Sequence, residues 1–388
     1  MEDILFAEIE ALYEEMVKTR RFLHQYPELS FQETKTSAFI QEQYQLLDIP
    51  FQANVGGNGV VATLTGSKPG KTVALRADFD ALPIQDDKDV PYKSKYPNVM
   101  HACGHDGHTA VLLAIANALK KHQDQLAGQV VFIHQHAEEV APGGAKPIIE
   151  SGILDNVDVV YGTHLWTSTP YGVIETAPGN FMAAADRFVI KLKGAGGHGA
   201  IPHQTKDPIV AGSQLTVSLQ QIVSRRVDPL ETAVVSIGKF HAGNAYNVIP
   251  ETGHLEGTVR TFNPDIQQFI REEIETITRG VCLANGMDYT YDYLYGYPPV
   301  VNHQPYAEKI LQAAQQIKEV DKVQMIKPSM TGEDFAYYLQ EKPGAFFFTG
   351  AQIDNGFVPH HHPLFDFDER AMMIAAKTLI AATLNENK

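Results

Sequence analysis

The chain has 388 residues, 44% of them hydrophobic and 20% charged, an ordinary globular composition with room for two cores. Its net charge of −15, from 46 acidic against 31 basic residues, repels phosphate-rich partners, which argues against nucleic acid and anionic membrane surfaces and for a small-molecule partner. Cys103 and Cys282 are too few and too far apart for a disulfide framework and fit a reducing, cytoplasmic compartment.

Ile4, Leu5, Ile9, Leu12, Met16 and Phe22-Leu23 recur at helical spacing, which predicts one surface helix over 3–25, ended by Pro27. The acidic start Met1-Glu2-Asp3-Ile4 lacks the basic residues and apolar core of an export signal, and no stretch is long and apolar enough to span a bilayer. A helix is expected over 37–47, and Gly56-Gly57-Asn58-Gly59 then turns into a strand at 60–64. The apolar run 72–77 predicts a strand that stops at Asp78-Phe79-Asp80, so two carboxylates stand at a strand's carboxyl end, where open α/β sheets form sites.

Residues 100–108, Met-His-Ala-Cys-Gly-His-Asp-Gly-His, put three histidines, a thiol and a carboxylate directly before a helix expected over 109–121. Cys103 and His105, two apart on a turn, can face one point, and thiolate with imidazole suits zinc-like divalent ions; a polar loop around a buried cysteine is the plainer reading. A strand over 129–135 leads into His136-Ala137-Glu138-Glu139, where one carboxylate can bind metal while its neighbour serves as a base, or both are simply surface groups. Another strand over 157–163 ends at His164, a ligand or an ordinary hydrogen-bonded histidine. Four such deliveries of polar groups together argue for one site, because unpaired buried charge is costly.

From Asp186 the pattern changes to strand 187–193, helix 208–223, strands 233–237 and 254–260, helix 264–284 and strand 288–294. This β-α-β-β-α-β order is the split βαβ, ferredoxin-like unit, and it reads as an insertion. Cys282 falls on the apolar stripe Ile270, Ile274, Ile277, Val281 and reads as core. Helix 306–319, strand 344–349, the imidazole run His360-His361-His362 between two prolines, and helix 368–384 return to the first domain.

Together, Arg21 to Phe31, Arg76 to Ile84, His101 to His108, Glu138-Glu139, Gly162 to Trp166, Gly196 to Gly199, Asn244 to Pro250 and Gly332 to Phe335 resemble the aminoacylase and carboxypeptidase-G type dinuclear metallohydrolases. The nearest branch is the amidohydrolases that include hippurate hydrolase, N-acetyl-diaminopimelate deacetylase and auxin-conjugate hydrolases. The resemblance implies an α/β fold: a metallopeptidase-like catalytic domain, residues 1–184 and 295–388, with a central mixed sheet between helices, and an inserted ferredoxin-like α+β lid and dimerisation domain, residues 185–294.

It also implies metal ligands at Cys103, His105, Glu139, His164 and His361, the last chosen by a His-x-Pro pattern, holding two divalent ions per chain. Manganese or zinc is expected, with cobalt and nickel as alternatives, and a shared Cys103 thiolate is inferred because five side chains are few for two ions. Glu138 matches the general base, Asp80 the acid that orients a ligand histidine, His198 a lid histidine that reaches a neighbouring subunit's site, and Asn247 and Arg260 the groups that hold a substrate carboxylate. Asp78 stands where many wider relatives have a ligand histidine, and His136 where the branch commonly has proline. The implied reaction is hydrolysis of N-acyl-L-amino acids by a metal-activated water in a homodimer. A dipeptidase or N-carbamoyl-amino-acid hydrolase is the alternative within the class, and a turnover-free metal protein or a thiol-redox protein the alternatives outside it.

Overall fold

Consecutive rather than alternating buried side chains mark the central strands. Val73, Ala74 and Leu75 in Lys68–Asp78, and Phe346, Phe347 and Phe348 in Gly344–Gln352, are all at most 1% exposed, which requires cover on both sheet faces. A computed structural model describes residues 1–354 and 356–387 and arranges these strands in an eight-stranded mixed sheet. Its order is Phe51–Val55, Gly59–Thr65, Ala127–Gln135, Lys68–Asp78, Val159–Pro170, Gly344–Gln352, Val173–Thr176 and Lys322–Met325. The strands Ala127–Gln135, Lys68–Asp78, Val159–Pro170 and Gly344–Gln352 run parallel, and the short edge pair Phe51–Val55 and Gly59–Thr65 is antiparallel. Helices Tyr13–Gln25, His105–Lys121 and Ala371–Asn385 pack together over this sheet and share its core.

The chain divides into two compact units. The first holds Met1–Phe181, Val300–Pro328 and the residues from Asp334 onward; the second holds Met182–Pro299 with Ser329–Glu333. The second unit carries a four-stranded antiparallel sheet in the order Ala233–Ala242, Thr252–Thr261, Ala184–Lys193, Asp288–Tyr297, with helices Pro208–Leu219 and Pro264–Ala284. Those helices begin where Asp207 and Asn263 accept hydrogen bonds from the N–H groups of Ile209 and Asp265, and each has proline at its first position. Ile270, Ile274 and Cys282 are buried in this unit's own core.

Several elements differ from the sequence reading. The helix expected over 3–25 is divided at Leu12, where ψ opens to about −1° between helices Glu2–Ala11 and Tyr13–Gln25, although the Leu12 amide still bonds to Glu8 and its carbonyl still accepts from Met16. The helix expected from 109 begins at His105, because Gly104 adopts a left-handed φ of +94° that turns the chain straight into it. His164 lies within a strand rather than at its end, since parallel pairing to Gly344–Gln352 continues through Trp166 opposite Gly350. Among the described residues, no helix is long and apolar enough to cross a membrane.

Candidate metal centre

Three neighbouring strands aim at one place. Lys68–Asp78 lies between Ala127–Gln135 and Val159–Pro170, with Asp78 opposite Gln135 and Arg76 opposite Gly162. Asp80, Glu138 and Glu139 therefore leave the sheet along one edge, at the carboxyl ends that bind ligands in such sheets, and His164 lies within the neighbouring strand two residues beyond Gly162. Cys103 and His105 come from the turn into helix His105–Lys121, and the His361 amide bonds to the Ala102 carbonyl at 2.8 Å, which ties the histidine run to that same turn.

The five side chains singled out as ligands converge. Donor atoms of Cys103, His105 and His164 form one group within 4.8 Å of one another, and those of Cys103, Glu139 and His361 form a second, with Cys103 common to both. Cys103 Sγ lies 3.4 Å from His164 Nε2, and His361 Nε2 lies 3.2 Å from Glu139 Oε1. Glu138 belongs to a third group with His105 and Glu139, its Oε2 4.0 Å from His105 Nε2.

The hydrogen bonds around this cluster set which nitrogens face it. His105 Nδ1 lies 3.0 Å from the Asp80 carbonyl oxygen and 3.1 Å from its Oδ1, so it carries the hydrogen and turns Nε2 inward. That Nε2 is buried without a hydrogen-bond partner among the described residues. His164 likewise spends Nδ1 on the Leu165 carbonyl at 2.9 Å and presents Nε2 to Cys103. Asp80 is fully engaged, because its second oxygen accepts from the Ser30 hydroxyl at 2.6 Å and the Glu139 amide at 3.0 Å.

The charges follow the same arrangement. Burial, with Glu139, Glu138 and Asp78 nearby, raises the Cys103 thiol well above its ordinary value. Burial alone would depress His105, but Asp78, Asp80 and Glu139 outweigh it and push the imidazole up to about 10. A thiol and several carboxylates crowded around imidazole nitrogens fit divalent cations, which supply the missing positive charge and bring the thiol down to its ligand form.

Other residues of the cluster had gone unassigned. His360 lies with Nδ1 3.8 Å from Cys103 Sγ, Nε2 accepting from the Thr167 amide at 3.2 Å and its ring stacked on Trp166 at 4.5 Å; only the bracketing prolines hinted at a pinned turn. Asp78 accepts from His108 Nδ1 at 2.6 Å and from Arg76 at 2.6 Å, and Arg76 also reaches Gln135 and Asp334. An arginine inside an apolar strand run was the available signal for that network. Asp106 faces away from the ligand group and binds Arg20 and His24, fastening the two helices together.

The remaining expected residues belong to the second unit. His198 pairs with Val248 in a two-stranded ribbon, its Nδ1 accepting from the Ala200 amide at 3.0 Å, and the Gly199 amide bonds to the Asn247 carbonyl at 2.9 Å. His198 and Asn247 are thus adjacent and both exposed. Arg260 is partly buried on Thr252–Thr261 and donates to Thr258 Oγ1 and the Val259 carbonyl.

Comparison with known proteins places this arrangement in a family. An N-acyl-L-amino acid amidohydrolase of Geobacillus stearothermophilus is 48% identical over 289 residues, covering 74% of this chain and 78% of that one. An N-acetyl-L-cysteine deacetylase of Bacillus subtilis is 41% identical over 370 residues, covering 95% and 87%. The crystal structure of the Bacillus subtilis YXEP protein, described as a dinuclear metal-binding peptidase, superposes with a TM-score of 0.82 at 34% identity over 97% of this chain and 98% of that one. Residues 74–385 match the profile of Peptidase family M20/M25/M40, and the chain belongs to that family.

Proposed function

We propose that the protein is a metal-dependent amidohydrolase that removes the acyl group from N-acyl-L-amino acids. The observation that carries this reading is a carboxylate, Glu138, set beside a converging set of thiolate, imidazole and carboxylate donors that leaves it outside the two groups sharing Cys103. The names of the two amidohydrolase and deacetylase relatives support the substrate class. In this reading Cys103, His105, Glu139, His164 and His361 hold two divalent ions, manganese or zinc before cobalt or nickel. When bound, the ions act as Lewis acids on the amide carbonyl and make a nearby water more acidic.

Glu138 takes the proton of the attacking water and delivers it to the leaving amine, while Asp80 holds His105 in the one tautomer that can serve as a ligand. The second unit, whose β-α-β-β-α-β order suits a ferredoxin-like module, acts as a lid and dimerisation domain. His198 from a neighbouring subunit then donates to the developing oxyanion, and Asn247 and Arg260 hold the substrate's free carboxylate, for which a guanidinium is the fitting partner. A cytoplasmic setting accords with two free, buried cysteines. Acetyl-, benzoyl- and carbamoyl-amino acids and dipeptides assayed side by side test the substrate class. The reading expects the acetyl or benzoyl compounds to have the highest kcat/KM, and a clear preference for dipeptides or carbamoyl compounds would overturn it.

A further inference from the structure

Glu138 and Glu139 depend on a backbone turn that the chain does not adopt easily. Ala137, immediately before them, has φ +53°, the left-handed region that a non-glycine residue keeps only when its surroundings hold it there. Here three backbone groups around it are fastened. The Ala137 amide donates to Glu33 Oε1 at 2.8 Å, its carbonyl accepts from the Gly144 amide at 3.1 Å, and the Glu139 amide donates to Asp80 Oδ2 at 3.0 Å.

Glu33 is the unusual member of this set. It stands at the N-cap of helix Thr34–Leu46, where an acidic side chain normally folds back onto its own helix, yet it makes no capping hydrogen bond. Its side chain is instead fully buried and reaches across to Ala137, while Oε2 accepts from Asn58 Nδ2 at 3.0 Å. Asn58 belongs to the Gly56-Gly57-Asn58-Gly59 turn, and Gly57 is pressed so close to His136 that a Cβ there would meet its Nε2 at 2.6 Å. The turn, the helix start and the strand end therefore lock together around one peptide.

We propose that Glu33 is a positioning residue that, buttressed by Asn58, holds the left-handed Ala137 and so fixes the aim of Glu138 and Glu139; the inference rests on the roles given to those two carboxylates above. A misaimed catalytic group loses rate even when binding survives, which makes the effect one on kcat. Burial pushes the Glu33 carboxyl up to about 7, against the lowering influence of Asn58.

The test compares E33A with E33Q, whose carbonyl oxygen can still accept from Ala137 while the Asn58 amide turns to meet the new NH2 group. The expected result for E33A is a kcat at least about tenfold lower with KM within roughly threefold of wild type, and for E33Q a kcat within about threefold. Amide hydrogen exchange at Ala137 and Glu139 in the metal-free protein supplies a second readout, expected to be faster in E33A and near wild type in E33Q. Unchanged exchange in E33A, or equal impairment of both variants, overturns the proposal. If E33A does not fold, N58A carries the test: faster Ala137 exchange supports the clamp and unchanged exchange refutes it. Turnover by E138Q is measured in parallel, since wild-type activity there would sink the role of Glu138 while the exchange data still decide whether Glu33 holds the turn.

Discussion

Glu138 and Glu139 are adjacent in sequence and opposite in surroundings. Glu139 has an oxygen 3.2 Å from His361 and its amide held by Asp80, whereas Glu138 stands with Oε2 4.0 Å from His105 Nε2. E139Q is therefore expected to lose metal, while E138Q keeps both ions and loses roughly 10²–10⁴-fold in turnover, the range a general base contributes. Metal content and kcat on the two purified variants check this, and the reverse pattern would exchange the two roles. Cys103, His105, Glu139 and His164 were legible in the sequence because each is a ligand-type side chain next to an element whose period shows it to be buried. Glu33 was not legible, since an acidic residue before a helix reads as a cap and nothing local reveals a bond to residue 137. His360 was hidden for the same reason, as its orientation depends on stacking with Trp166 and the Thr167 amide.

At the scale of elements, the parallel strands were readable from unbroken apolar runs, and the two second-unit helices from their apolar stripes and N-terminal prolines. Element ends were less so. The left-handed Gly104 moves a helix start from 109 to 105, and pairing with a strand distant in sequence carries another element past His164. Burial of these strands also has a pH signature. His134, inside Ala127–Gln135, is fully buried between the Tyr44 hydroxyl at 2.9 Å and Thr109 Oγ1 at 3.3 Å, and burial lowers it from 6.5 to about 3. The unfolded chain then binds more protons below pH 6.5, so the contribution of this residue is fully present above that value and is lost as pH falls toward 3. At pH 5 the loss is about 2 kcal/mol. Urea unfolding of metal-free protein from pH 7.5 to 5 is expected to show a shallower decline for H134Q than for wild type. Parallel declines would assign acid lability to other groups.

For the whole molecule, the division into two units puts the convergent donors in one and His198, Asn247 and Arg260 in the other, so the proposed chemistry draws on residues of both units. If His198 acts on a neighbouring subunit's site, mixing inactive H198A with inactive E138Q should restore part of the activity, because one site of each heterodimer receives both intact side chains. Heterodimers verified by mass yet without turnover would remove His198 from that role. The central claim is that Cys103 links two donor groups that together hold two ions, with turnover depending on both. It is tested most directly by titrating chelator-stripped protein with manganese or zinc while measuring bound metal and hydrolysis of an N-acyl amino acid on the same samples. The account predicts full activity only as occupancy reaches about two ions per chain, the stoichiometry of a dinuclear site. Full activity at one ion per chain, or in the stripped protein, would contradict it.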